Sequence, residues 1–129
     1  MTDEELMNKA KEASANAHTP FTGFAVGAAA EFADGSVFTG CNVETSGYGS
    51  SLCAERNAMT VAVANGRTDV VKIAVYSPKS LDVVPCGVCR QWLWDFSGRD
   101  DIIILTQAEN GLNVYTLKDL LPYPYNSVK

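Results

Sequence analysis

Hydrophobic and polar positions along the chain change period several times, and each change marks an element. Leu6, Ala10, Ala13 and Ala17 recur at helical spacing behind Thr2, and Glu5 stands three residues after Thr2. That pattern predicts a capping box and an amphipathic helix that must stop before Pro20. Residues 25–32 and 37–43 read as strands on either side of Asp34-Gly35, a hairpin-turn pair. Side chains alternate along a strand, so Asn42 and Glu44 share one face of its end while Cys41 and Val43 take the other. Residues 45–51 form a small polar loop whose one aromatic residue is Tyr48.

The second half alternates helix and strand. Residues 53–65 predict a helix stopped by Gly66, and Ala58, Met59, Val61, Ala62, Val63 and Ala64 make it apolar nearly all round. Such a helix is buried by its own fold or by another subunit. Residues 70–76 read as a strand. Pro85 and Cys86 open a third helix that runs to Phe96 and stops near Gly98. Residues 102–105 form an apolar strand of the doubly covered kind. Asn110-Gly111 turns the chain into a strand at 113–115, and a short helix at 117–121 precedes Pro122. Helix–strand alternation with a hairpin at each end predicts an α/β fold. The expected form is a three-layer α/β/α sandwich around a five-stranded mixed sheet, with residues 1–129 forming one domain.

Composition narrows what such a domain does. A net charge of -5 and a pI near 4.7 argue against a surface built for nucleic acid. No apolar run reaches the roughly 18 residues that a membrane span needs, and the acidic start Met1-Thr2-Asp3-Glu4-Glu5 does not resemble a signal peptide. A cytoplasmic, reducing setting is expected, where the four cysteines are thiolate ligands or core residues rather than disulfides. His18, the only histidine, stands at the end of the first helix and reads as a cap or packing group.

The chemistry gathers at two helix starts. Cys53-Ala54-Glu55-Arg56 heads the second helix and Pro85-Cys86-Gly87-Val88-Cys89-Arg90-Gln91 heads the third. A Cys-x-Glu with a Pro-Cys-x-x-Cys resembles the signature of zinc-dependent base deaminases in its three-cysteine variant. A catalytic zinc takes three protein ligands and keeps a fourth position open, and Cys53, Cys86 and Cys89 can supply three thiolates. Helix N-termini lower thiol pKa values. Three thiolates on one dication leave a net negative charge, so Arg56 is expected as a counter-charge hydrogen-bonded to sulfur, with Gln91 in a similar role. Glu55, two residues after Cys53, is expected to carry protons. The bland alternative is a structural zinc with Cys41 as fourth ligand. Cys41 faces away from Asn42 and Glu44, and a closed site has no need of a glutamate beside a ligand.

Those motifs, with Cys41-Asn42-Val43-Glu44, Phe24-Ala25-Val26-Gly27-Ala28-Ala29 and Leu120-Leu121-Pro122, resemble the small homotetrameric class of cytidine deaminases over essentially the whole chain. The resemblance implies one Zn2+ per subunit on Cys53, Cys86 and Cys89, with Glu55 as proton shuttle. It also implies a nucleoside substrate whose ribose 3′-hydroxyl meets Asn42 and Glu44, while Phe24 lines the pocket and the Ala54 N–H meets the pyrimidine carbonyl. Neighbouring subunits would complete each site with the loop around Tyr48 and the C-terminal aromatic, here Tyr125. The implied activity is hydrolysis of cytidine and 2′-deoxycytidine to uridine, 2′-deoxyuridine and ammonia in pyrimidine salvage, with modified cytidines as further substrates.

The family usually has Phe where this chain has Tyr125, Tyr-x-Pro-Tyr where it has His18-Thr19-Pro20-Phe21, and Asn where it has Thr45. Three alternatives stand beside that expectation. Blasticidin deaminases share the cysteine motifs but resemble Asn-Val-Tyr where this chain has Asn42-Val43-Glu44. Polynucleotide deaminases usually have His at the first ligand and act through basic grooves. The third is a non-catalytic zinc module.

Overall fold

Strand β1 (Gly27–Phe32) runs through the middle of the molecule, and its small side chains allow it to be covered on both faces. Ala28, Ala29 and Ala30 are all fully buried. β1 pairs antiparallel with β2 (Val37–Cys41) on one side and with β3 (Val70–Tyr76) on the other. β3 runs parallel to β4 (Ile103–Gln107), which pairs antiparallel with β5 (Leu112–Thr116). The resulting order, β2-β1-β3-β4-β5, is the five-stranded mixed sheet that the alternation predicts. The structure, a computed structural model, describes residues 1–126, with the side chain of Tyr48 outside the described set.

Helix α1 (Asp3–Ser14) covers one face of the sheet, packing Leu6, Met7 and Ala10 against Ala29, Ala74 and Leu105. Its start is the predicted capping box: Glu5 N–H donates to Thr2 Oγ1 at 3.1 Å and Thr2 N–H to Glu5 Oε1 at 2.7 Å. Helices α2 (Ala54–Ala64) and α3 (Gly87–Ser97) cover the other face, over Ala28, Ala30, Ile73, Val75 and Ile104. The short α4 (Leu117–Leu120) seats Leu117 in that same layer. Alternation along β1 explains the division, since Ala29 points to one side and its two neighbours to the other.

Two glycines set how closely the layers approach. A Cβ at Gly27 would come within 2.0 Å of the Ala10 carbonyl oxygen, so α1 rests on bare strand backbone. A Cβ at Gly40 would lie 2.4 Å from Ala58 N and 2.7 Å from the Ala54 oxygen, so α2 rests on β2 in the same way. The second contact matters most for function, because Ala54 begins the helix that carries Glu55.

Several element ends differ from the pattern, each for a physical reason. The first helix stops at Ser14, short of Ala17, and its buried stripe is Leu6, Met7, Ala10 and Ser14. β1 begins at Gly27 rather than at 25, because the Asn42 side chain takes over the pairing there, accepting from Val26 N–H at 2.9 Å and donating to the Phe24 carbonyl at 2.8 Å. β4 extends two polar residues beyond Leu105; Thr106 is fully buried yet satisfied, its hydroxyl donating to Asp82 at 2.7 Å. The all-round apolar second helix is buried along Ala54, Ala58, Met59 and Ala62 only, leaving Val61 and Val63 about half exposed on this chain. Trp92 and Trp94 are both half-buried against the core. No helix among the described residues is long and apolar enough to cross a membrane.

Candidate active site

The strap after β2 delivers the first ligand. Val43 exchanges both backbone hydrogen bonds with Leu52, at 3.0 and 2.9 Å, which carries Cys53 to the start of α2 as its N-cap residue. Cys86 is the N-cap residue of α3, and Cys89 lies in that helix's first turn, fully buried. Neither N-cap thiol is used to cap its helix. The sulfurs of Cys53 and Cys86 are 3.7 Å apart, those of Cys86 and Cys89 3.5 Å, and all three lie within 4.8 Å of one another. Cys41 stands outside this group, on β2, where its carbonyl accepts from Asn57 Nδ2 at 2.8 Å. Three soft donors, not four, converge.

Charge makes that cluster a cation site. The Cys89 thiol, the Arg56 guanidinium and the Cys86 thiol beside Cys53 pull its pKa down to about 5. The neighbouring Cys53 sulfur pushes Cys89 the opposite way, and burial and the Glu55 carboxylate push it further. Without a cation the three sulfurs cannot all be thiolates at this separation; with a soft dication among them they can. Arg56 Nη2 donates to Cys53 Sγ at 3.4 Å, while Arg56 Nε is buried with no hydrogen-bond partner. A guanidinium held half-satisfied beside sulfur suits a centre whose net charge is negative once filled.

Glu55 is only 4 % exposed, although carboxylates are rarely buried without a partner. It lines a cavity of about 150 Å³ with Val26, Asn42, Cys53, Ala54, Val83, Val84 and Cys86. Burial, with the charge of Cys53 adding to it, raises the Glu55 carboxyl to about 7. Ala54 N–H, at the first position of α2, has no partner within the helix and belongs to the same wall. A larger surface groove of about 480 Å³ is lined by α1, β2 and Val61 of α2, with Lys9 and Glu12 its charged residues and none of the clustered cysteines in its wall.

The other expected site residues are placed less uniformly. Asn42 lines the Glu55 cavity, but both ends of its amide already bind the 24–26 backbone. Glu44 borders a second cavity of about 360 Å³ with Phe21, Thr22, Thr45, Ser46 and Ser51. Its carboxylate accepts from the Thr22 hydroxyl and from the N–H groups of Thr22 and Phe21, and these bonds, the Thr22 hydroxyl first, hold its pKa below the ordinary value. Phe24 is exposed at one side and is not part of the Glu55 cavity wall. The backbone of Tyr48 opens a short 3-10 turn (Tyr48–Ser50), and its side chain lies outside the described set. Tyr125 is exposed in the single chain.

Gln91 is placed away from the sulfurs. Its amide pairs with the backbone of Tyr125 in both directions, at 2.6 and 3.0 Å, and also donates to Asp95. Helical geometry explains the contrast with Arg56. Three residues on from Cys53 returns to the same helix face, whereas two on from Cys89 turns about 200° away from it. From sequence alone, Val83 and Val84 are not singled out as site residues, and Val26 and Arg90 stand within motifs without a role. Arg90 holds the Pro85 carbonyl with Nε and the Leu120 carbonyl with Nη1, each at 2.7 Å, fixing the approach to Cys86. An arginine beside a ligand cysteine was the available signal.

Known proteins agree with this geometry. The family model for the cytidine and deoxycytidylate deaminase zinc-binding region matches residues 1–106. A cytidine deaminase of Halalkalibacterium halodurans is 38% identical over 122 residues, covering 95% of this chain and 92% of the relative. A cytidine deaminase of Mycobacterium tuberculosis is 38% identical over 117 residues, covering 91% and 84%. Among solved structures, cytidine deaminase from Burkholderia pseudomallei superposes with a TM-score of 0.89 at 36% identity, covering 97% of this chain and 100% of that one. The Mycobacterium tuberculosis enzyme does so with a TM-score of 0.86 at 35% identity, covering 98% and 99%. With its sulfur cluster, its fold and its relatives in accord, the chain belongs to the cytidine and deoxycytidylate deaminase zinc-binding family.

Proposed function

We propose that this protein is a zinc-dependent cytidine deaminase, hydrolysing cytidine and 2′-deoxycytidine to the corresponding uridines and ammonia. The observation that carries the reading is a buried glutamate facing a cavity walled by two of three clustered cysteine sulfurs. Cys53, Cys86 and Cys89 would hold the zinc, and the zinc, when bound, supplies the positive charge that makes a water acidic at neutral pH. Glu55 takes the proton that this water loses as its oxygen adds to ring carbon four. It passes that proton to ring nitrogen three, then carries the proton of the newly added hydroxyl to the amino group, which leaves as ammonia while the carbon–oxygen double bond forms. A carboxyl poised near neutrality suits that exchange in both directions. The Ala54 N–H is read as the contact for the pyrimidine carbonyl, and Val26, Val83 and Val84, which line the same cavity, as the groups that keep bulk water from the ring.

Asn42 and Glu44 are read as the ribose contacts. Each retains acceptor capacity beyond the loop bonds it already makes. A carboxylate at that position and an acidic chain favour a free, uncharged nucleoside over a polynucleotide. The whole chain is read as one such domain working in the cytoplasm in pyrimidine salvage. Its form would be a homotetramer in which the exposed Val61 and Val63 of α2 meet neighbours and Tyr48 and Tyr125 reach adjacent sites. Light scattering at the mass of a single chain would exclude the assembly. The blasticidin alternative is not favoured, since the relatives from Halalkalibacterium halodurans and Mycobacterium tuberculosis are cytidine deaminases.

A substrate panel tests the assignment. Ammonia release from cytidine and 2′-deoxycytidine is expected, with none from single-stranded DNA or RNA. A zinc-loaded protein that releases ammonia from neither nucleoside would overturn it.

A further inference from the structure

Asp82 carries a geometry that neither metal binding nor proton transfer explains. It is the one non-glycine among the described residues with a positive φ, at 54°. Aspartate tolerates this left-handed conformation better than most residues, yet a residue is held there only when its surroundings over-determine it. Here they do. Asp82 Oδ1 accepts from the Thr106 hydroxyl at 2.7 Å, from Asn113 Nδ2 at 3.2 Å and from the Tyr115 hydroxyl at 2.8 Å, and Tyr115 also reaches Oδ2 at 3.0 Å. Its own N–H donates to the Gln107 carbonyl at 2.9 Å. Asn113 Nδ2 lies 3.2 Å from the Thr106 hydroxyl as well, so the donors are tied to each other. All of them stand on β4 and β5, far along the chain from the loop they grip.

The two residues after Asp82 give the grip its purpose. Val83 and Val84 are half of the apolar wall of the Glu55 cavity, and Val83 also packs on the core. Beyond them, Pro85 is held independently by Arg90, and Cys86 is the N-cap of α3. The loop is therefore pinned at two separate points. Arg90 serves the metal end, while the Asp82 clamp serves the two valines between the pins.

We propose that Asp82 is a positioning residue for substrate: its clamp to Thr106, Asn113 and Tyr115 sets Val83 and Val84 against the pyrimidine ring. It tunes ground-state fit rather than the proton transfers. The inference rests on the cytidine deaminase reading. A preformed apolar wall binds substrate and transition state alike, so its loosening falls on KM rather than on kcat.

Three substitutions separate clamp from backbone. Asp82→Gly permits the left-handed turn and removes the clamp, Asp82→Ala removes both, and Asp82→Asn keeps an acceptor oxygen and tolerates the turn. Asp82→Gly and Asp82→Ala are expected to raise KM for cytidine about tenfold with kcat within about threefold, a loss near 1.4 kcal/mol in kcat/KM. Zinc content should stay at the wild-type level, and Asp82→Asn should restore KM to within about threefold. Amide exchange at Val83 and Val84 should quicken in the glycine variant, a readout that does not depend on turnover. Unchanged KM with unchanged exchange in Asp82→Gly would overturn the inference. So would equal losses in kcat and zinc content, which would mark the clamp as a support of the metal site. A wild-type protein inactive on cytidine would count against the enzymatic reading alone, leaving amide exchange to decide whether the clamp orders the loop.

Discussion

Glu55 illustrates how one residue's role depends on burial. Burial this complete penalises the ionised form, and a pKa raised to about 7 brings both protonation states within reach at neutral pH. Glu55→Gln preserves shape and removes the proton site. It should fold, retain zinc by atomic absorption, and lose about 10²- to 10⁴-fold in turnover of cytidine; near-wild-type turnover would remove Glu55 from the reaction. At the surface, Asp82 behaves differently. Hydrogen bonds from Thr106, Tyr115 and Asn113 hold its carboxyl below the ordinary aspartate value of 3.8. A carboxyl depressed by folding contributes stability that is complete above 3.8 and is lost as pH falls through the folded value. Urea titrations between pH 4.5 and pH 2.5, about the range of a carboxylate's ionisation, should show the wild type losing stability more steeply than Asp82→Asn. Parallel pH profiles would contradict the assigned clamp.

At the scale of elements, the site depends on how closely α2 lies on β2. The bare backbone at Gly40 faces the Ala54 carbonyl and Ala58 N, both rigid helix atoms rather than the ends of flexible side chains. Gly40→Ala must push the helix outward. Overpacking of this kind costs about 1–3 kcal/mol, measurable by urea denaturation, and the same shift should move Cys53 and Glu55 and lower cytidine turnover. If turnover and stability both survive the added methyl, the tight contact is not what positions α2. Glycine in strand 37–43 is visible as a residue, but nothing in the one-dimensional pattern says which helix approaches it. The hairpins and the first helix's capping box were legible for the opposite reason. Thr2 with Glu5, Asp34-Gly35 and Asn110-Gly111 act through neighbours two or three positions away, so their physics is contained in a short stretch of chain.

For the molecule as a whole, a metal held by the sulfur cluster would staple α2 to α3. Its three donors come from two helices, with Cys53 separated from Cys86 by the whole of β3 and the loop after it. A metal that binds the folded arrangement and not the open chain stabilises it by mass action, about 4 kcal/mol when free metal exceeds the dissociation constant a thousandfold. Removing zinc with a chelator should therefore lower Tm by several degrees and abolish deamination, and both should return on adding zinc. A chelator-treated protein with unchanged Tm and unchanged activity would exclude the metal from both roles.

By itself the sequence determined everything that local physics controls. The helix and strand periods, the turn pairs, the capping box at Thr2 and Glu5, the three candidate ligands and the glutamate beside the first of them were all legible in residue type and spacing. Even Arg56 was legible beside Cys53, because an i,i+3 pair shares a helix face. Only the tertiary structure decided what depends on elements meeting across the sheet. It turned Gln91 toward the tail, away from the sulfurs. It put Val26, Val83 and Val84 around Glu55, and it gripped Asp82 with side chains from two later strands. Those contacts join residues dozens of positions apart, and the chain records their chemistry without recording that they touch.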